Sequence, residues 1–145
     1  GAVVADAWRA LPVGDGAVGT VLTVFAPRAP AETARVLRPG GRLVVAAPTP
    51  EHLVELVAPL GLVRVDPDKQ ERLDRALAGY QVVDRALVQR RLVLTPDDVR
   101  AAVAMGPSAR HVDAGALTDA ALARLPRETT LSVSVTGYEP VLAAR

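Results

Sequence analysis

The chain has 145 residues, of which 50% are hydrophobic and only 3% aromatic, so Leu, Val and Ala must build one core over a single domain, residues 1–145. The net charge of +1 is too small to attract a polyanion such as a nucleic acid to the whole molecule, so any nucleic-acid surface must be a local basic patch. The absence of Cys excludes disulfides, thiolate metal sites and cysteine nucleophiles, and we predict no metal ligands. Neither a membrane-spanning run nor a signal-peptide pattern is found, so we expect a cytoplasmic protein with no membrane partner.

Apolar runs bounded by turn residues predict five β-strands. The first run ends directly at Asp6, and the last alternates apolar with polar residues, which predicts a strand with one covered face. The predicted strands are residues 2–5, 20–25, 43–47, 82–94 and 131–136.

Two helices are predicted in the first half of the chain. One covers residues 31–37 and ends before Pro39-Gly40-Gly41, because proline cannot continue a helix and the glycines allow a tight reversal. The other begins at Thr49-Pro50-Glu51, which supplies an N-cap and the first helical positions, and ends at Gly61.

Three more helices are predicted in the second half. A charged helix over residues 69–78 has Leu73 and Leu77 as a narrow apolar seam. The next begins at Thr95-Pro96-Asp97-Asp98, where acidic residues favour the first turn, and the last is capped by Asp113.

This alternation of strands and helices predicts an α/β fold. We expect a mostly parallel sheet with helices on both faces and an antiparallel last strand. Ligands of such sheets bind beyond the carboxyl ends of the strands. The candidate site therefore lies in residues 6–8, 25–28 and 48–52.

Asp6 to Trp8 follow the first predicted strand. The Asp6 carboxylate can accept a hydrogen bond from an adenine amino group while the N–H of Ala7 meets a ring nitrogen; alternatively, Asp6 caps local N–H groups. Trp8 either covers the adenine or packs in the core beneath the loop.

Phe25 to Arg28 follow the second predicted strand. Phe25 either stacks on a base or packs in the core, and Ala26 and Pro27 leave backbone carbonyls open to a substrate amino group. Arg28 either holds a phosphate or is simply solvated.

The remaining candidates are histidines and arginines. His52, predicted near the third position of a helix, either assists proton removal, holds a phosphate or lies on a helix surface. The loop over residues 105–111, which contains Arg110 and His111, either roofs a substrate pocket or only links two helices. Arginines 85, 90 and 91 form either a nucleic-acid contact or a solvated sheet face.

Several segments carry a resemblance to a known family. The helix, Pro-Gly-Gly turn and apolar strand resemble the middle of a class I S-adenosylmethionine-dependent methyltransferase. With the other motifs, the chain resembles the C-terminal two-thirds of the large-subunit (23S) ribosomal RNA guanine-N1 methyltransferases, which include macrolide-resistance members. The motifs are Ala5-Asp6-Ala7-Trp8 with Leu11-Pro12, Val24-Phe25-Ala26-Pro27-Arg28, Pro48-Thr49-Pro50-Glu51-His52-Leu53 and the loop over residues 105–111.

The resemblance implies binding of S-adenosylmethionine and methyl transfer to N1 of a guanine in ribosomal RNA. It implies cofactor contacts from the first motif and from Phe25 and Ala26 of the second, and substrate contacts from the end of the second motif and from the other two; His52 is the candidate catalytic residue. The cofactor residues would be Asp6, Ala7, Trp8, Phe25 and Ala26, and the substrate residues Pro27, Arg28, His52, Arg110 and His111.

The resemblance also has gaps. The Cys-rich zinc module, the Gly-rich loop and the acidic ribose-binding residue of that family are not found in this sequence, and the chain begins within a predicted strand. We therefore expect the C-terminal part of a longer methyltransferase, with little or no cofactor binding when isolated. The alternatives are a small-molecule methyltransferase and a non-catalytic dimerisation or binding module.

The gaps also bear on assembly. Residues 20–25 would form an exposed apolar edge, covered by residues 2–5 or by a second copy of the chain, so we expect a homodimer.

Overall fold

The computed structural model describes residues 2–141, so Gly1 and residues 142–145 of the predicted domain lie outside the described part. Strands and helices alternate along these residues, as predicted. The elements are β1 (Val18–Val24), α1 (Pro30–Val36), β2 (Leu37–Pro48), α2 (Val54–Leu60), α3 (Lys69–Ala76), β3 (Tyr80–Val93), α4 (Pro96–Met105), two 3₁₀ turns (Pro107–Arg110 and Ala114–Leu117), α5 (Asp119–Leu122) and β4 (Glu128–Pro140). No helix within residues 2–141 is long and apolar enough to cross a membrane.

The four strands form one sheet in the order β1-β2-β4-β3. β1 and β2 are parallel, with Val21 opposite Leu43. β4 runs antiparallel to β3, because the N–H of Val141 donates to the carbonyl of Gly79 near one end and the N–H of Leu94 to that of Arg127 near the other. The predicted fold class, a mostly parallel α/β sheet finished by an antiparallel strand, is confirmed.

The Pro-Gly-Gly segment is a bulge within β2 rather than a turn before it. Val18 of β1 lies opposite Leu37, but Thr20 lies opposite Arg42, so the chain between Leu37 and Arg42 loops out of the ladder. Gly40 has φ +70°, a left-handed conformation that suits glycine. Helix α1 therefore ends at Val36, and strand β2 begins at the next residue, Leu37, ahead of the Pro-Gly-Gly segment.

The prediction of a strand over residues 2–5 is wrong. These residues lie in an irregular segment, with the side chains of Val3 and Val4 exposed. A strand satisfies its backbone groups only by pairing, and no described strand pairs with this segment. β1 is consequently an edge strand, and the side chains of Leu22 and Val24 are 66% and 52% exposed.

The described residues divide into two compact units. The first comprises residues 2–47, 68–87 and 134–141. Its core confirms the predicted seam, because Leu73 and Leu77 are both buried there. The buried core residues are Leu37, Leu43, Val45, Ala47, Leu73, Leu77 and Tyr138.

Asp74 is the centre of a polar network in this first unit. Tyr138 donates its hydroxyl hydrogen to Asp74 Oδ1 at 2.7 Å, and Arg85 Nη2 contacts both carboxylate oxygens at 2.8 and 2.9 Å. Burial alone would raise the pKa of the Asp74 carboxyl, but the hydrogen bonds from Tyr138 and Arg85 hold it below its ordinary value. The network ties α3 to β3 and β4.

The second unit comprises residues 48–67 and 88–133. The predicted helix start at Thr95 is confirmed as a capping box: Thr95 Oγ1 accepts from the N–H of Asp98, whose carboxylate accepts from the N–H of Thr95. The helix predicted after Asp113 is instead two short pieces, because Thr118 is extended and caps a second start. The buried core residues are Leu56, Leu60, Val99, Val103 and Leu122.

The prediction of one covered face on the last strand is wrong. Every residue of β4 from 129 to 140 is buried or half-buried, on both faces of the strand, and β4 lies between β2 and β3 in the sheet. Its hydroxyl-bearing residues are therefore inside: Ser132 is fully buried and Thr136 is 1% exposed. Such groups are tolerated because each hydroxyl has a hydrogen-bond partner.

Candidate functional site

Asp6, Ala7 and Trp8 form a turn ahead of β1 in the first unit. Asp6 Oδ1 accepts from the N–H of Trp8 at 2.9 Å, and Oδ2 lies 3.5 Å from Nε of Arg9. Asp6 thus caps a local N–H, one of its two predicted alternatives. The Trp8 side chain is 72% exposed, so the alternative that it packs in the core is wrong.

The loop between this turn and β1 is fixed by two side chains of α1. Glu32 Oε1 accepts from the N–H of Leu11 at 2.6 Å, and Arg35 donates to the carbonyls of Leu11 and Val13. The hydrogen bond from Arg35 holds the pKa of the Glu32 carboxyl at about 2, with further help from the N–H of Leu11. Glu32 and Arg35 were not among the predicted site residues, although their i,i+3 spacing is a signal for an ion pair.

Phe25 lies at the carboxyl end of β1 in an unusual backbone conformation. Its φ is +48°, in the left-handed region that a bulky side chain rarely occupies, while its N–H donates to the carbonyl of Ala46 at 3.0 Å. The side chain is 54% exposed, and Ala26 and Pro27 beside it are also exposed. Strained backbone of this kind is characteristic of functional segments.

Arg28 belongs to a group of positive charges in the first unit. Burial lowers the pKa of the Lys69 ammonium, and the charges of Arg28 and Arg72 lower it further. Lys69 was not predicted as a site residue. The signal that could have singled it out is composition, because it is the only lysine in the chain.

His52 lies in a turn between β2 and α2 in the second unit, so its predicted position inside a helix is wrong. The helix begins later, at Val54, because Leu53 adopts φ +52° and interrupts it. His52 Nδ1 accepts from the backbone N–H of Ser132 at 3.3 Å. A backbone N–H can only donate, so this contact keeps the lone pair on Nδ1 and the hydrogen of the neutral ring on Nε2.

A carboxylate next to this turn was missed by the sequence reasoning. Glu55 accepts from the N–H and hydroxyl of Thr130, the hydroxyl of Thr129 and the guanidinium of Arg91. Burial opposes ionisation, but the bonds from Thr130 outweigh it and lower the pKa of Glu55 to about 2. Glu55 therefore anchors α2 to β4 as a carboxylate.

Arg110 and His111 are exposed at the end of the 3₁₀ turn Pro107–Arg110 in the second unit. Ser108 at the centre of this turn is buried, and its Oγ accepts from the N–H of Val63 at 2.9 Å. The segment is therefore a fixed turn on the surface of its unit.

The predicted arginine cluster on β3 serves mainly in internal ion pairs. Arg85 pairs with Asp74 and Arg91 with Glu55, while Arg90 donates to the neighbouring carbonyl of Gln89. The interpretation as a joint nucleic-acid surface is therefore not supported for Arg85 and Arg91. Among residues 2–141, no group of three His, Cys, Asp or Glu side chains is placed to hold a metal ion.

The structure thus groups the predicted site residues into local sets. Asp6, Ala7 and Trp8 share one turn, and residues 25–28 share the end of β1, both in the first unit. In the second unit, His52 is fixed against β4, and Arg110 and His111 share the 3₁₀ turn.

Two curated relatives match nearly the whole chain. A protein of Micromonospora griseorubida named as a 23S rRNA (guanine-N1)-methyltransferase is 45% identical over 144 residues, which cover 97% of this chain and 48% of the relative. The 23S rRNA (guanine(748)-N1)-methyltransferase of Streptomyces fradiae is 45% identical over 141 residues, 95% of this chain and 50% of the relative. The resemblance inferred from the motifs is confirmed, and the chain spans about half the length of the curated relatives it matches. No family model matches the chain.

A solved structure supports the fold. The crystal structure of a Bacillus halodurans protein described as a methyltransferase superposes with a TM-score of 0.52, covering 96% of this chain and 70% of that protein. The sequence identity is only 13%, so this likeness concerns the fold alone.

Proposed function

We propose that this chain, a relative of the 23S ribosomal RNA guanine-N1 methyltransferases over nearly all of its length, takes part in S-adenosylmethionine-dependent methyl transfer to N1 of a guanine in 23S ribosomal RNA. The observation that carries the proposal is the 45% identity over 144 residues. Because ribosomal RNA is the proposed substrate, we place the protein in the cytoplasm.

The turn ahead of β1 fits the adenine end of the cofactor. The Asp6 carboxylate uses one acceptor position for the N–H of Trp8 and faces Arg9 with its other oxygen, and a carboxylate has about four acceptor positions. It can therefore accept from an adenine amino group as well, while the exposed ring of Trp8 offers a cover. When bound, S-adenosylmethionine supplies an electrophilic methyl group on a sulfonium centre.

The end of β1 fits the reacting ends of cofactor and base. Phe25 and Ala26 would border the methyl donor, and Pro27, which lacks a donor N–H, would border the guanine. Arg28 would bind a phosphate of the RNA. Holding the base in line with the methyl group would account for much of the rate.

His52 is proposed to contact the RNA substrate as a hydrogen-bond donor. Loss of the guanine N1 proton requires an acceptor, and the Nδ1 lone pair of His52 is directed to the N–H of Ser132. The Nε2–H that this contact fixes is suited to donation to a phosphate or carbonyl oxygen. The role of His52 as the general base remains a prediction that substitution can test.

The experiment deletes the gene that encodes the chain and compares 23S ribosomal RNA from the deletion and parent strains. N1-methylation blocks the pairing edge of guanine, so reverse transcriptase stops at the modified base. We expect a stop that disappears on deletion, returns with the wild-type gene and is weakened by Trp8→Ala. An unchanged stop pattern would overturn the proposal, and methylation of a small acceptor by the purified protein would then favour a small-molecule methyltransferase.

We also propose that the protein forms a homodimer through its sheet edge. β1 is at the edge, and its exposed Leu22 and Val24 are apolar side chains that pairing with a second β1 would cover. Light scattering on the purified protein should give twice the mass of one chain, and Leu22→Lys should halve it. A monomer at micromolar concentration would exclude this assembly.

A further inference from the structure

The 3₁₀ turn Pro107–Arg110 is held by one buried serine. Ser108 is 4% exposed, and its Oγ accepts the N–H of Val63 at 2.9 Å. Its carbonyl accepts two more N–H groups, from His111 at 2.9 Å and Val112 at 3.1 Å. Ser108 thus joins the turn to the segment after α2, and its carbonyl fixes the backbone of His111 and Val112 at the end of the turn.

The chain on both sides of the turn is fixed as well. The N–H of Gly106 closes α4 by donating to the carbonyl of Val103, which is buried in the core of the second unit. Val112, directly after His111, packs against the same core. Arg110 and His111 are therefore exposed side chains on a backbone that is anchored on either side.

Arg110 differs from two arginines of its unit that lie in ion pairs. Arg91 pairs with Glu55, and Arg100 pairs with Asp97 and Asp119. No carboxylate within residues 2–141 forms an ion pair with Arg110. A guanidinium held on a rigid turn without an internal counter-ion is suited to bind an external anion, and it loses less side-chain and backbone freedom in doing so.

From these contacts we infer that Ser108 is a positioning residue that holds Arg110 and His111 as a preformed pair of donors for phosphate groups of the RNA substrate. This inference rests on the proposed function, since it names the part of the substrate that this turn binds. Ser108 does not touch the RNA; it acts by holding the turn that carries Arg110 and by bonding the backbone N–H of His111.

The test measures binding of the purified protein to a fluorescein-labelled RNA stem-loop that contains the equivalent of guanine 748 of 23S rRNA, the position named for the Streptomyces relative. Fluorescence anisotropy is recorded over a range of salt concentrations for wild type, Ser108→Ala, Arg110→Ala and the double variant. Loss of one phosphate contact lowers the slope of log K against log salt by about 0.7–0.9. We expect this change for Arg110→Ala, a similar change for Ser108→Ala, and no further change in the double variant.

Thr95→Ala is the matched control, because it weakens the same unit at the far end of α4 without touching the turn. A merely structural role of Ser108 predicts that Ser108→Ala and Thr95→Ala both lower thermal stability and leave the salt slope of the folded protein unchanged. That outcome, or additive effects in the double variant, would overturn the inference. An unchanged salt slope for Arg110→Ala would also overturn the inference about the turn. In that case, loss of the reverse-transcription stop on gene deletion would still support the proposed function.

Discussion

Substitution of Gly41 by a residue with a side chain should destabilise the protein, although a Pro-Gly-Gly segment in a sequence is typical of an exposed turn. Gly41 is buried in the bulge of β2, and a Cβ added there would lie 2.8 Å from the carbonyl oxygen of Arg38 and 3.1 Å from that of Gly19. Both neighbours are backbone atoms, which cannot rotate away as the end of a flexible side chain can. The Gly41→Ala substitution therefore has to displace the bulge or the adjacent strand β1.

The size of the effect follows from these distances. Ordinary contact of a Cβ begins at 3.4 Å, so the Arg38 oxygen must move by about 0.6 Å. Overpacking of this kind costs about 1–3 kcal/mol of the free energy of unfolding. With a urea m-value of about 1–3 kcal/mol/M, the unfolding midpoint should fall by roughly 1 M.

Two glycine variants are controls for the Gly41→Ala measurement. Gly79→Ala meets no atom within 4 Å and needs no positive φ, so its midpoint should stay at or slightly above that of wild type. Gly40→Ala also has open space, but its φ of +70° should cost about 1–2 kcal/mol through backbone strain alone. Urea unfolding followed by far-ultraviolet circular dichroism gives all three midpoints, and equal midpoints for Gly41→Ala and Gly79→Ala would refute the steric reasoning.

Three further substitutions test the polar contacts. Tyr138→Phe removes the hydroxyl that donates to Asp74 and should cost about 1 kcal/mol in urea unfolding; no loss would mean that the hydroxyl adds nothing to the network. The pKa of Glu55 is about 2 in the folded protein against an ordinary 4.5, so its contribution to stability is present above pH 4.5 and is lost as the pH falls toward 2. Glu55→Gln should therefore flatten this part of the pH profile of stability, measured by thermal unfolding. An unchanged profile would contradict the assignment. If His52 donates through Nε2, His52→Gln should retain more methylation in the reverse-transcription assay than His52→Asn, whereas a general base predicts equal loss in both.

Local signals were sufficient for the parts of the fold that depend on neighbouring residues. The helix start at Thr95, the helix stop at Gly61 and the buried pair Leu73 and Leu77 each follow from side chains within one or two helical turns. These predictions are confirmed because short-range hydrogen bonding and periodicity decide them.

Other parts depend on partners that are distant in the sequence. The bulge before Arg42 is fixed by the register against β1, and the buried hydroxyls of β4 are satisfied by Thr49 and Arg85, which are distant in the sequence. The candidate site shows the same division: residues 25–28 were predicted from the end of β1, a strand that the structure contains, whereas the strand from which Asp6 was predicted is absent. Ser108 and Glu55 were missed because their roles depend on Val63 and Thr130.

The hydroxyl groups buried in β4 also have a consequence for biosynthesis. These hydroxyls form hydrogen bonds with residues far away in the sequence: Thr130 with Glu55, 75 residues apart, Ser132 with Thr49, 83 residues apart, and Thr136 with Arg85, 51 residues apart. Such long loops close slowly, and until β4 has left the ribosome Thr49, Glu55 and Arg85 lack these partners, so part of each polar group stays hydrated. Tight packing of α2 and β3 is therefore expected to wait for translation of β4, which makes the nascent chain most vulnerable to proteolysis just before that strand is released.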